Sequence, residues 1–101
     1  MSNPTEPVVV ARELEALIPV FLANRRRELE ALRAALAARD FGELCRIGHR
    51  MKGAGASYGF QRISSFGEAI ETAAQTPDPA AVAAGIDAYA AHLSALKVTY
   101  A

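Results

Sequence analysis

Apolar residues recur at intervals of three and four along almost the whole of this chain, a spacing that confines it to helices. Leu44, Ile47, Met51, Ala54 and Tyr58 keep a 3-4-3-4 rhythm, and Val82, Ile86, Tyr89, Leu93 and Leu96 keep the same intervals in the reverse order. Alanine, leucine, arginine and glutamate dominate, while β-branched residues are sparse. Only Val8 to Val10 resembles the core of a strand, and it reads as too short and solitary to build a sheet.

Stop and start signals divide the rhythm into segments. Val10, Leu14, Leu17 and Phe21 predict a short N-terminal helix over about 6–17, with Pro19 marking a break or the first turn of the next. The stripe Ile18, Leu22, Leu29, Leu32 and Leu36 predicts a helix over about 19–39. Asp40 and Glu43 form a capping-box pattern ahead of a helix over 41–58, and Gly59 sits where a left-handed residue would end it. Ile63, Phe66 or Gly67, Ile70 and Ala74 carry a third helix over 61–75. Asp78 and Pro79 then open a fourth, over 79–97. The expectation is an all-α fold within a single domain spanning 1–101: an antiparallel up-down-up-down four-helix bundle with a short additional N-terminal helix.

Eleven basic residues balance eleven acidic ones, so net charge makes no case for nucleic acid or a membrane as partner. The single cysteine, Cys45, rules out an intramolecular disulfide. No apolar run approaches the ~20 residues that cross a bilayer, and "MSNPTEP" lacks the features of a signal peptide. The chain is expected to be a standalone cytoplasmic monomer.

The stretch "GHRMKGAGASYG" places glycine beside a histidine within a helix, at about 1 kcal/mol each against alanine. At 100° per residue, the apolar stripe of this helix is centred roughly 170° from His49. His49 therefore points outward, with Gly42, Cys45, Arg46, Lys52, Gly53 and Ala56 on its face. Gly48 and Gly55 lie at the margin of the stripe, where a missing side chain lets a neighbouring helix approach. Gly53, four residues after His49, has no such reason on an exposed face; a β-carbon there is expected to crowd the imidazole.

A neutral imidazole nitrogen is a nucleophile near pH 7, and neighbouring cations stabilise a phosphoryl group carried on it. The face computed for this helix holds no carboxylate to orient the ring and no second histidine to complete a metal pair. No metal site is expected. Such a constellation reads as a phosphoryl acceptor without catalytic apparatus of its own.

"HRMKG" resembles the H-x-[hydrophobic]-K-G signature of histidine-containing phosphotransfer (HPt) domains of two-component phosphorelays. The resemblance runs through "GHRMKGAGASYGFQRISSFGEAIE" and the four-helix layout. Met51 departs from the common leucine, and Gln61 from a frequent proline. The resemblance implies that His49 is the phosphorylated residue, that Lys52 contacts the phosphoryl oxygens, and that Gly53 keeps the ring accessible. It also implies that receiver domains of hybrid histidine kinases or response regulators are the partners. The chain itself would bind no cofactor, with Mg²⁺ and most catalytic groups on the receiver.

Arg46 and Arg50, with Lys52, form a basic patch suited to an acidic receiver pocket, and Cys45, Ala56 and Phe60 complete the expected docking surface. Phe66 is a further aromatic that could reach this surface. Arg25, in the run Arg25–Arg27, falls on the apolar register, with its stem expected along the core edge and its head emerging. His92 lacks glycine or basic neighbours and is assigned no role. The competing readings are a module that binds receivers without phosphotransfer, and a structural helical bundle whose histidine is incidental.

Overall fold

Four helices ring a single core: α1 (Ile18–Ala37), α2 (Phe41–Tyr58), α3 (Gln61–Gln75) and α4 (Pro79–Ala95). Each packs against the next, and α4 closes on α1. The computed structural model describes residues 7–101. The fold class is an all-α bundle.

Local chemistry accounts for each boundary. Pro19 lies in the first turn of α1, where no amide donor is required. The helix ends with Arg39 in the left-handed region at φ 54°, which lets the Asp40 amide donate back to the Ala35 carbonyl at 2.8 Å. Asp40 then starts α2, its carboxylate accepting from the Glu43 amide at 3.1 Å. Gly59, at φ 83°, terminates α2, and the Phe60 amide donates to the Gly55 carbonyl at 2.8 Å. Asp78 caps α4 by accepting from the Ala81 amide at 3.1 Å, with Pro79 at the first helical position.

Leu32, Leu44, Ile47, Met51, Ile63, Ile70, Val82 and Tyr89 are fully buried at the centre. The α2–α3 contact is the most extensive in the bundle. Gly48 and Gly55 on α2, and Gly67 on α3, let the two backbones meet there, since a β-carbon on any of them would strike backbone of the other helix or of the turn before it. This close pair carries the site described below.

The N-terminal segment differs from the expected helix over about 6–17. Residue 6 lies outside the described residues. Val8–Val10 forms a strand, β1, and Arg12–Leu17 a 3-10 helix. Nor is β1 solitary: it pairs in parallel with β2 (Val98–Tyr100), which follows α4 where the last helix was expected to run to 97. Val10 is buried against the core, and the Arg12 amide donates to the Ala101 carbonyl at 3.0 Å. The pairing joins segments about ninety residues apart, which helical periodicity cannot register. Leu17, expected on the apolar stripe, is half exposed at 49%.

Candidate functional site

His49 projects from α2 on the side facing α3, its side chain 73% exposed. Its Nδ1 lies 3.2 Å from Glu71 Oε2, and Glu71 itself is largely buried on α3. One turn further along α2, Lys52 Nζ lies 3.7 Å from Glu68 Oε1. Two α2 side chains thus meet two α3 carboxylates, side by side across the close helix contact.

The pairing has a definite chemical consequence. A neutral imidazole carries one N–H and one lone pair, and the partner of one nitrogen decides which nitrogen bears the proton. With the Glu71 carboxylate 3.2 Å from Nδ1, the tautomer that keeps its proton on Nδ1 is the favoured one, and it leaves the lone pair on Nε2. An exposed, oriented nitrogen with an ammonium group one turn away is a nucleophile beside a ready counter-charge for an anion.

Neither carboxylate was anticipated from the sequence. The face of α2 alone contains none, and both arrive from α3. The signal that places them is the glycine pair: Gly48 opposes Gly67, His49 follows the first by one residue and Glu71 follows the second by four.

The other predicted positions divide. Arg46 is exposed and ion-paired with Glu43 one turn earlier. Arg50 and Ala56 are exposed. Cys45 is half-buried between α2 and α3, its thiol donating to the Glu71 carbonyl at 3.7 Å. Phe60 corrects its assignment to a docking surface: it is 1% exposed, stacked on Phe21 with ring centroids 4.9 Å apart. The turn at Gly59 carries the next side chain inward rather than out.

Gly53 requires a correction of another kind. A β-carbon there would meet nothing within 4 Å, so alanine at this position would not crowd the His49 ring. What Gly53 leaves is open space above the helix.

Three polar side chains away from His49 are also buried. Arg25 is 8% exposed, so its head does not emerge; it is held by Glu28, another largely buried side chain one turn on. His92, on α4, is buried beside Phe66 with ring centroids 5.3 Å apart. Burial, reinforced by nearby Arg62, lowers the pKa of its imidazole below the usual value.

Among the described residues, no group of three or more His, Cys, Asp or Glu side chains assembles into a metal site. No described helix is long and apolar enough to cross a membrane. A family model described as the Hpt domain matches residues 16–98. No curated protein and no solved structure matches the chain.

Proposed function

The chain belongs to the Hpt domain family, whose members carry phosphoryl groups on histidine in two-component signalling, and from that premise we propose that His49 Nε2 is the phosphoacceptor. One observation carries the assignment: an exposed imidazole whose Nδ1 is tied to Glu71, with Lys52 one turn away.

The donor is the phosphorylated aspartate of a receiver domain. The Nε2 lone pair attacks phosphorus, a N–P bond forms, and the P–O bond to the aspartyl carboxylate breaks with its electron pair remaining on that carboxylate. The Nδ1 proton stays on the ring, and Glu71 balances the positive charge that develops there. Lys52 leaves Glu68 and pairs with the phosphoryl oxygens. In the return step the aspartate of a second receiver attacks phosphorus and Nε2 departs with its lone pair restored.

Gly53 leaves room for the receiver loops that bring the aspartate to the ring. Arg46, Arg50 and Ala56 form the exposed docking rim, with Cys45 at its half-buried edge. We assign Mg²⁺ to the receiver, as the resemblance to HPt domains implies.

Mixing the protein with a receiver phosphorylated on aspartate tests the reading. Acid-labile, alkali-stable label should appear on the wild-type chain and be absent from His49→Gln. Label acquired by His49→Gln would remove the assignment. Docking without label on either protein would leave a module that only binds receivers.

A further inference from the structure

A cleft of about 410 Å³ opens between α1 and α2, away from the His49–Glu71 pair. Asn24, Arg25, Arg27, Glu28 and Arg50 line it, together with two alanines. We propose that this cleft is a binding site for a small oxyanion, a phosphate or carboxylate group.

Charge makes the first part of the case. Three guanidinium groups face a single carboxylate. Among the described residues, no carboxylate lies within ion-pair distance of Arg27 or Arg50. The cleft therefore holds an excess of positive charge.

Arg25 makes the second part. Its Nε lies 2.9 Å from Glu28 Oε1 and its Nη2 donates to Oε2 at 3.3 Å, while its plane covers the Phe21 ring at 4.7 Å. Only the Nη2 contact is a hydrogen bond; Nε and Nη1 are both buried and have no hydrogen-bond acceptor. A buried donor without a partner is costly, and a guanidinium has two N–H bonds on Nη1. An oxyanion drawn into the cleft by the exposed Arg27 and Arg50 supplies the missing acceptor once the Arg25 head turns outward to meet it, with Arg27 and Arg50 as bidentate donors from α1 and α2.

Glu28 sets the selectivity. Its carboxylate shares the cleft and opposes any incoming anion, so occupancy depends on the three arginines outweighing it. Removing its charge should tighten binding, an effect opposite to that of removing Arg27 or Arg50.

Titration of the full-length protein with inorganic phosphate and, separately, with sodium acetate, followed by amide chemical shifts, tests the site. Sodium chloride at matched ionic strength is the control. Saturable shifts at residues 24–28 and 50–54 are expected, at least tenfold weaker in Arg27→Ala/Arg50→Ala and several-fold tighter in Glu28→Gln. Saturation by phosphate alone identifies a phosphate group. Saturation by acetate as well identifies a carboxylate, such as an acidic side chain of a docked protein. Linear shifts matching those of chloride, or saturable shifts unchanged in both variants, overturn the proposal. Both exchanged arginines are exposed, so the double variant should remain folded; its amide spectrum outside the cleft reports this directly.

Discussion

Gly48 and Gly67 face each other so closely that neither tolerates a β-carbon: one added to Gly48 would stand 2.8 Å from the Gly67 carbonyl oxygen, and one added to Gly67 would stand 2.6 Å from that of Gly48. The obstacles are backbone atoms on both sides, so no rotamer change relieves them. Alanine at either position should destabilise the fold by about 1–3 kcal/mol, the usual range for an overfilled core. Denaturant midpoints measure this. Gly53→Ala is the internal contrast: with open space around it, removing a helical glycine should raise stability by about 0.5–1 kcal/mol.

The same contact sets the separation of His49 from Glu71. Glu71→Ala should slow phosphoryl acquisition from a receiver about tenfold, equivalent to about 1.4 kcal/mol of transition-state stabilisation. His49 should remain the labelled residue. Glu71→Gln keeps an acceptor for Nδ1–H and should recover much of the rate. Rapid-quench labelling of the three proteins checks the order, and a purely structural role for Glu71 would instead appear as lost thermal stability.

Lys52 is expected to act on the phosphorylated form. Its partner in the free protein, Glu68, is a distant and exposed one at 3.7 Å, so little holds it back. Lys52→Ala should reduce the yield of phosphohistidine about tenfold at equilibrium with a given phosphorylated receiver, again about 1.4 kcal/mol, without altering the unfolding midpoint. Glu68→Ala should leave yield equal or higher.

His92 gives stability a dependence on pH. Burial, with Arg62 adding to it, makes its folded-state pKa lower than the ordinary 6.5. The folded state then binds fewer protons than the unfolded chain. Stability is therefore full above about pH 6.5 and declines as pH falls through the lowered folded value. His92→Phe keeps an aromatic ring against Phe66 and should flatten this limb. Urea midpoints of both proteins between pH 7.5 and 5 provide the comparison.

Much of this architecture could be read from residue order, because helices announce themselves one at a time. The stripes through Leu44–Tyr58 and Val82–Leu93, the caps at Asp40 and Asp78, and the stop at Gly59 are local signals, and each element formed where its own chemistry favoured it. The outward direction of His49 followed from rotation per residue alone. What escaped were relations between elements. Glu71 and Glu68 reach the site only through the register of α3 on α2. Arg25 stays buried because Glu28, one turn away, provides the charge that an arginine would otherwise seek in water. Phe60 turned inward because a left-handed glycine reverses the chain before it.

The parallel run of β1 beside β2 sets Val8 against Val98 and Val10 against Tyr100. Val8 and Ala101 consequently lie about three strand residues apart, roughly 10 Å. Through that pairing, Val8–Val10 and Val98–Tyr100 are opened to solvent together or not at all, so the paired amides of the two strands should share one hydrogen-exchange rate.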